Sequence, residues 1–509
     1  MPALHGESWL STPLFARRGR HLRGCEDTQE DAVCEACGVR VGAPDPSLAL
    51  NSGLAAVSEL TRRLGVVEAI DAAVGPIKTR NRGCGVGQLL VGMAAAQLAG
   101  EDFLVGLDRQ RADTAGQQLT PVAGLSATTA AGLARRVTGE QWRSTETGLA
   151  AVSERVLALL PAARRARLTE AVTIDIDATD VEVYGRKKQG VAYNYAGQRC
   201  GRPHVATWAQ TETVLAADLL AGDQDPSAGS AGLLRRALAA LPAPARASED
   251  IAVRVDAGYF AGELARTARA EQVCFAIGAK RIAPLWRLLS GIAEHEWTDA
   301  IEMHSAQVAV AGYAPADWPE GTRLLIRPVR LDACEVSADP RSRRRRTLHP
   351  DQRALPLAEL AEAEAIYAYS FILTDLDCST GPKAAAVEHW YRHRTSVENI
   401  FRDGKHGAAL RHLPSGYTQV NTAWTWGALL AVSIAGWLHE LTGSPGDDGR
   451  IAGHGTREGK AMIATLRHRL IAVPARLVRH AGQLILRLPP GHGLLAEVLA
   501  RIRALPALP

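Results

Sequence analysis

Four aspartates stand at the ends of apolar, β-branched stretches of the chain. Asp175 and Asp177 alternate with isoleucines, Asp180 lies in the turn that follows, and Asp256 ends a second apolar stretch. Alternation with period two puts Asp175 and Asp177 on one face of a strand. Acids at the ends of adjacent strands can converge on one hard cation, because Mg²⁺ prefers carboxylate oxygens and keeps several waters. The alternative is that each aspartate only ends a strand or caps a turn.

A second polar set lies on a long helix predicted in the C-terminal third. On a helical wheel, Tyr391, Arg394, Glu398 and Lys405 fall within roughly 60° of one another. One helix face then presents a carboxylate that suits a metal, flanked by cations that suit phosphates. The alternative is an ordinary solvated face with i,i+4 ion pairs, such as Glu398 with Arg402.

A mixed order of strands and helices must position these residues. β-branched runs predict strands at 171–178, 191–196, 204–208, 251–255, 273–277, 323–330 and 366–374. Helical spacing of apolar residues predicts helices at 50–73, 87–98, 126–137, 141–160, 227–241, 263–270, 384 to about 404, and 422–441. This order indicates an α/β fold.

Three motifs in order carry a resemblance to a known family. Asp177-Ala178-Thr179 ends the first strand, Val255-Asp256-Ala257-Gly258-Tyr259 surrounds the second acid, and Tyr391-x2-Arg394-x3-Glu398-x6-Lys405 forms a Y-R-E-K signature. In these motifs the chain resembles bacterial insertion-sequence DDE transposases of the cut-and-paste, hairpin-forming kind. The blocks at 174–185 and 466–488 look most similar to the DDE-domain group-one transposases. The resemblance runs from about residue 50 to 490.

The resemblance implies a role for each motif residue. Asp177, Asp256 and Glu398 would be the catalytic, metal-binding triad, holding two Mg²⁺ (or Mn²⁺) ions. Tyr391, Arg394 and Lys405 would contact the DNA backbone near the cut, and we add Arg402 on the same helix. Asp175 stays open as an alternative first ligand, because it shares a face with Asp177.

The resemblance also implies the fold class. It is an α/β protein with a ribonuclease-H-like mixed-sheet catalytic core, a mainly β insertion, a helical N-terminal domain and a basic helical C-terminal region. We predict six segments: a polar, Cys-containing tail at 1–45, a helical DNA-binding domain at 46–165, the first half of the catalytic core at 166–279, the insertion at 280–365, the second half of the core at 366–443, and the basic region at 444–509.

Further DNA contacts are predicted outside the signature. Lys187 and Lys188 lie in a turn just after the first acid, and Arg344 belongs to an arginine-rich run. Trp297 and Trp318 of the insertion offer faces on which an unpaired base could stack. Residues 450–509 hold ten Arg or Lys against two Glu, and Arg467, Arg469, Arg476 and Arg479 recur with helical spacing. Each feature has an ordinary alternative, a solvated loop or a core tryptophan.

A cluster of soft ligands lies near the N-terminus. His21, Cys25, Cys34 and Cys37 form H-x3-C-x8-C-x2-C, which suits a structural Zn²⁺ ion by ligand type but not by a standard finger spacing. The alternative is a polar tail with free thiols.

Composition narrows the class of protein. With 47% apolar and 22% charged residues, the chain is globular rather than disordered. Its formal net charge of +4 conceals separate basic stretches. Scattered cysteines and no apolar stretch long enough for a membrane span predict a cytoplasmic protein with no signal peptide and no membrane partner. The resemblance implies that the protein is bacterial and nucleoid-associated.

We therefore expect a DNA transposase that cleaves double-stranded DNA at the terminal inverted repeats of an insertion sequence and transfers strands into target DNA. Joining two element ends implies a homodimer in the DNA complex. A metal-dependent nuclease with the same core and a catalytically idle DNA-binding descendant remain alternatives. A carbohydrate hydrolase using paired carboxylates would leave the basic helix face unexplained.

Overall fold

The structure is a computed structural model that describes residues 33–34, 39–40, 42–79, 83–331, 336–337, 346–347, 366–445, 451–454 and 460–507. It forms two compact units, Met1–Asp45 and Pro46–Pro509. In the first, strands β1 (Val33–Cys34) and β2 (Val39–Arg40) pair antiparallel. His21, Cys25 and Cys37 of the predicted zinc set lie outside the described residues, and Cys34 is described only by its place in β1.

The described strands of the second unit are β3 (Leu48–Ala49), β4 (Ala171–Ala178), β5 (Val181–Glu182), β6 (Ala192–Tyr193), β7 (Arg199–Trp208), β8 (Thr213–Ala221), β9 (Asp250–Val255), β10 (Cys274–Gly278), β11 (Thr298–Asp299), β12 (Gln307–Ala311), β13 (Arg323–Leu331), β14 (Val336–Ser337), β15 (Arg346–Thr347), β16 (Ile366–Thr374), β17 (Ser444–Pro445), β18 (Ile451–Ala452), β19 (Ala475–His480) and β20 (Gln483–Arg487).

Its described α-helices are α1 (Leu54–Arg63), α2 (Val66–Val74), α3 (Val86–Ala99), α4 (Val105–Ala112), α5 (Ala127–Ala134), α6 (Gly139–Leu159), α7 (Ala162–Glu170), α8 (Pro226–Ala240), α9 (Ala243–Arg246), α10 (Gly262–Ala270), α11 (Ala283–Leu289), α12 (Gly381–Arg392), α13 (Thr395–Gly407), α14 (Thr418–Thr442), α15 (Ile463–Leu466) and α16 (Gly493–Ala504). None of them is long and apolar enough to span a membrane.

One mixed sheet organises the second unit. Its central order is β8-β7-β4-β9-β10, with β4, β9 and β10 parallel and β7 antiparallel to both β4 and β8. The strands β4 and β9 are buried along most of their length, as is usual for parallel strands covered on both faces. This mixed core confirms the predicted ribonuclease-H-like fold class. Strand β8 was not among the strands predicted from the sequence.

The segment between the two halves of the core continues the same sheet. Antiparallel β16 pairs with β10 on one side and with β13 on the other, and β12 and β11 follow outward. The pairing of β13 with β16 is continuous from Arg323↔Thr374 to Leu331↔Ile366. These strands therefore form an extension of the core sheet, and Arg344 of the predicted DNA contacts lies outside the described residues.

The largest contact between the N-terminal helices and the rest of the core is one apolar helix pair. Helix α3 is apolar on nearly every side and packs against α14, which is buried along almost its whole length. The backbones approach closely at Gly427, where an added Cβ would lie 2.8 Å from the Met93 side chain. Because a helix that is apolar all round must be covered on all faces, the helical segment shares a hydrophobic core with the sheet.

The C-terminal region contradicts part of the predicted helical spacing. Arg476 and Arg479 lie on strand β19, which forms a hairpin with β20 and also pairs with β3. Ala481 and Gly482 turn the hairpin with positive φ angles of 48° and 77°, the backbone that a tight primed turn needs. The helical interpretation of 475–487 is wrong because strand pairing with β3, far away in sequence, outweighs local spacing; α16 is helical as expected.

Candidate active site

Two acids meet at one edge of the sheet. Strands β4 and β9 run parallel with Asp175 opposite Arg254, so Asp177 and Asp256 fall level with each other two residues further on. Asp177 Oδ1 accepts a hydrogen bond from the Ala178 amide at 2.8 Å. Asp256 leaves the sheet as the cap of a short 3₁₀ turn, and its Oδ1 accepts from the Gly258 amide at 2.8 Å.

The signature residues lie on two helices rather than on one. Helix α12 ends at Arg392 and α13 begins at Thr395, with Arg394 at the junction. The predicted single helix from 384 to about 404 is therefore wrong, and so is the helical-wheel argument built on it. The signature side chains lie near one another instead because the junction between α12 and α13 contacts the sheet.

Arg394 lies between two of the predicted acids. Its Nη1 donates to Asp177 Oδ2 at 3.3 Å, and its Nη2 is 3.9 Å from Glu398 Oε1. The Arg394 side chain is mostly buried, whereas that of Glu398 is 62% exposed. One guanidinium thus connects the end of β4 with the first turn of α13.

The other two signature residues are hydrogen-bonded to the strand ends. The Tyr391 hydroxyl donates to the Val255 carbonyl at 2.9 Å, directly before Asp256. Lys405 Nζ donates to Thr179 Oγ1 at 2.6 Å and to the Asp180 carbonyl at 2.9 Å. Both side chains therefore hold backbone next to an acid, a positioning role that the sequence prediction of phosphate contacts did not include.

Burial and neighbouring charges shift the pKa values of Asp177 and Lys405. Burial raises the pKa of Asp177 to about 6; the Arg394 guanidinium opposes this rise, and the Asp256 carboxylate adds to it. Burial lowers the pKa of Lys405, and the nearby Asp180 carboxylate partly offsets this. A strand end that concentrates negative charge in a desolvated place is a favourable position for a cation.

Asp175 has a structural environment. It is fully buried, and Arg254 binds both of its oxygens, from Nε at 2.7 Å and from Nη2 at 2.9 Å. Ser396 of α13 donates to the same carboxylate, and Arg254 also donates to the Trp390 carbonyl of α12. This network fastens the α12–α13 junction to β4 and β9, and it leaves Asp175 committed to protein partners.

A cleft of about 770 Å³ opens beside Arg394 and Glu398. Basic residues that the sequence prediction missed contribute to its wall, namely Lys280, Arg281, Arg327 and Arg392. Lys280 and Arg281 follow β10, the neighbour of β9, after one residue, so their place just after a parallel strand was the available signal. Burial lowers the pKa of Arg281. The cleft combines excess positive charge with an exposed carboxylate at its mouth.

A buried phenol also lies near the acids. Tyr259, in the turn after Asp256, is 1% exposed, and its hydroxyl has no hydrogen-bond partner among the described residues. Burial raises its pKa, and the charges of Asp177 and Asp256 raise it further. The prediction from the sequence included Tyr259 in the motif around Asp256 but gave it no role.

The remaining predicted contacts are dispersed. Lys188 lies in a second cleft of about 640 Å³ with Lys405 and donates to the Leu413 carbonyl, while Lys187 is exposed in its turn. Arg402 is exposed and bonds Asn399 at 2.8 Å.

The two tryptophans are partly buried in an apolar cluster. The Trp318 ring packs 5.6 Å from Phe260 and 5.9 Å from Phe275, centroid to centroid. Trp297 packs on the same cluster. Both side chains thus contribute to the protein interior in this structure.

The donor set of the candidate triad suits a hard divalent cation. All three groups are carboxylates, two lie level on adjacent strand ends, and the third is free to move on an exposed side chain. Among the described residues, the ligand atoms of these three do not all lie within 4.8 Å of one another. The residues therefore fit a metal by chemistry, with Glu398 as the group that must approach.

Comparison with known proteins identifies the family of the chain. The family model described as "Transposase DDE domain group 1" matches residues 33–336 and 353–507. No curated protein matches the chain. A solved structure described as the cryo-EM structure of piggyBac transposase synaptic complex with hairpin DNA has 10% sequence identity and a TM-score of 0.37, covering 77% of this chain and 76% of that one. On the family match, the chain is a DNA transposase and belongs to the transposase DDE domain group 1 family.

Proposed function

We propose that this transposase cuts DNA at the ends of a bacterial insertion sequence and joins the freed 3′ ends to target DNA. One observation carries the proposal: Asp177 and Asp256 lie level at the ends of parallel strands, and Arg394 connects Asp177 to Glu398 at the mouth of a basic cleft. Acids beside a cluster of cations favour phosphoryl transfer over sugar hydrolysis.

The three carboxylates would hold two Mg²⁺ (or Mn²⁺) ions. When bound, two such ions supply activation of the attacking oxygen and stabilisation of the leaving 3′ oxygen. The chain's contribution is to keep Asp177 and Asp256 fixed at the sheet edge through their amide hydrogen bonds and to bring Glu398 on α13 toward them.

The cationic side chains would orient the DNA backbone. Lys280 and Arg281 in the cleft wall and the exposed Arg402 would neutralise phosphates. Arg394 balances the charge of Asp177, and Tyr391 and Lys405 keep the two strand ends in position. With the DNA held, water attacks a phosphodiester of one strand and leaves a 5′-phosphate and a free 3′-hydroxyl. This 3′-hydroxyl then attacks a phosphodiester of the opposite strand, giving a hairpin, or of the target strand, and in each case the broken bond releases a 3′-hydroxyl on the attacked strand.

The partner in this proposal is double-stranded DNA, first the terminal inverted repeats and then the target. Because two ends must be cut and joined together, the DNA complex would contain two copies of the chain. The proposal also includes the roles of the four Y-R-E-K signature residues and the origin of the chain from a bacterial insertion sequence.

The test is cleavage of end-labelled duplexes that carry the flanking element ends, with Mg²⁺. We expect nicked, hairpin and strand-transfer products from the wild type and none from Glu398→Gln. The matched control is Glu320→Gln, which changes an exposed glutamate in a turn of the extended sheet and should keep all products.

The alternatives give different results. A nuclease would cleave and give no strand-transfer product. An idle descendant would bind DNA without cleaving it, and Asp256→Ala would then change nothing in a transposition assay. Equal cleavage by wild type and Glu398→Gln would overturn the assignment of the third acid.

A further inference from the structure

We propose that Glu302, His389 and His393 form a second metal site, separate from the carboxylate triad and suited to Zn²⁺. One ligand atom of each residue lies within 4.8 Å of the other two, and this is the one such group of three among the residues that the structure describes. The inference does not depend on the proposed strand-transfer chemistry, since it concerns binding of an ion to a different set of residues.

The two histidines are held at ligand spacing by a helix end. His389 is in the last turn of α12, and His393 caps that helix four residues later. Residues four apart lie on one face of a helix, and the two imidazole rings have their centroids 4.2 Å apart. An i,i+4 histidine pair therefore presents two nitrogen donors toward one point.

A backbone carbonyl favours a ligating tautomer for His393. The Nδ1 of this histidine lies 2.6 Å from the His389 carbonyl oxygen. A ring nitrogen donating to a backbone carbonyl leaves the opposite nitrogen with its lone pair free, which is the usual arrangement of metal-bound histidine. The carbonyl thus orients the His393 ring as well as ending the helix.

The third donor comes from a different element. Glu302 lies in the turn between β11 and β12, and its Oε2 is 3.3 Å from His389 Nε2. Its backbone has a positive φ of 51°, an uncommon conformation for a residue with a side chain. The turn is fastened to α12, because Arg392 donates to the Ile301 carbonyl.

Local charge permits a cation here. The guanidinium of Arg392, which contacts the Glu302 turn, is paired with the buried Glu388, with Nε 3.3 Å from Oε1. Glu302 supplies the negative charge and is 75% exposed, so it can rotate toward an ion.

The donor types select the ion. Two imidazole nitrogens and one carboxylate oxygen suit Zn²⁺, which binds such sets with a fourth position left for water or another ligand. Mg²⁺ prefers oxygen ligands throughout, so the two sites in this chain would take different metals. Bound Zn²⁺ would link the β11–β12 turn to the end of α12, directly before the junction that carries Arg394.

The experiment is calorimetric titration of Zn²⁺ into the full chain with Mg²⁺ in excess, so that the carboxylate triad is occupied. We expect one binding event that is lost, or weakened about tenfold or more, in His389→Ala and in His393→Ala. The control His295→Ala removes an exposed histidine outside the cluster and should keep the event. Wild-type stoichiometry and affinity in both cluster variants would overturn the proposal.

A second variant distinguishes loss of this site from misfolding and from Zn²⁺ bound at the N-terminal cysteines. Glu302→Gln removes only the carboxylate charge at an exposed position and should weaken the same event. Replacing Zn²⁺ by Co²⁺ should give a visible spectrum without a thiolate-to-metal band at this site. A Co²⁺ spectrum that is unchanged in Glu302→Gln and His389→Ala would assign all binding elsewhere and contradict the site.

Discussion

Arg394 and Asp177 form an ion pair across 217 residues of sequence, with Arg394 Nη1 3.3 Å from Asp177 Oδ2. The contact connects the α12–α13 junction to the end of the first core strand. It also sets how the third acid is presented, because the same guanidinium approaches Glu398. The site therefore depends on a cation as much as on its carboxylates.

Replacing Arg394 by alanine should reduce DNA cleavage by about 10²-fold or more, the size expected when a buried charged group that orients a catalytic site is removed. The matched change Arg402→Ala removes an exposed arginine that bonds only Asn399 among its described side-chain partners and should cost far less. Rates under single-turnover conditions compare the two. Equal losses would mean that Arg394 acts only as another phosphate contact.

Asp177→Asn should inactivate the enzyme yet stabilise the fold near neutral pH when divalent metal is removed by chelation. The folded pKa of about 6 exceeds the ordinary 3.8, so ionising Asp177 costs stability as pH rises from about 4 to 6, and the full cost remains above that range. A gain of about 1–3 kcal/mol in the free energy of unfolding is expected at pH 7 and almost none at pH 4.

Urea unfolding at both pH values tests this expectation, and Asp223→Asn, at an exposed position, should change stability at neither. A gain for Asp177→Asn that is as large at pH 4 as at pH 7 would show that its cause is not the ionisation of the carboxylate.

Asp175→Ala should destabilise the chain by about 3–5 kcal/mol, because it leaves the buried Arg254 guanidinium without its carboxylate. The exposed pair Arg235–Glu271 offers a control, since Glu271→Ala should cost less than about 1 kcal/mol. Chemical denaturation measures both. If Asp175→Ala instead kept wild-type stability and lost Mg²⁺ binding, Asp175 would be the first metal ligand.

Gly278→Ala should impair catalysis without altering any polar group. A Cβ at this position would lie 2.7 Å from the Tyr391 hydroxyl and 2.9 Å from the Asp256 carbonyl carbon, so one of them must shift. Displacing a catalytic group by a fraction of an ångström to an ångström costs up to about 10²-fold in rate. Gly132→Ala, in α5 with no atom within 4 Å of the new Cβ, should keep the activity. DNA-cleavage assays measure the activity of both variants, and circular dichroism checks that each variant is folded.

Lys280→Ala and Arg281→Ala should each weaken DNA binding across sequences and lower the slope of log affinity against log salt by about 1, as expected for loss of one phosphate contact. Lys383→Ala is the control, since that exposed lysine pairs with Asp377 outside the cleft. Fluorescence anisotropy over a range of salt concentrations gives the slopes. Unchanged slopes in both cleft variants would show that Lys280 and Arg281 do not contact DNA phosphates.

Residue type and local spacing were enough to predict several of the separate elements of this protein. The β-branched run that carries Asp177, the apolar run before Asp256 and the apolar helices α3 and α14 follow from residue type and period, which act over a few neighbours. The ordered motifs predicted the family that the whole-chain comparison then showed. These features needed no knowledge of distant contacts.

The way in which the elements meet depends on tertiary contacts. The junction at Arg394 divides a stretch that looks continuously helical, since bonds from Arg254 and Ser396 to Asp175 fix it against the sheet. Strand β19 replaces a helical pattern because it pairs with β3 more than 400 residues away. Lys280 and Arg281 became site residues through the position of β10 in the sheet. Each outcome depends on pairing energies between segments remote in sequence, which local propensity does not contain.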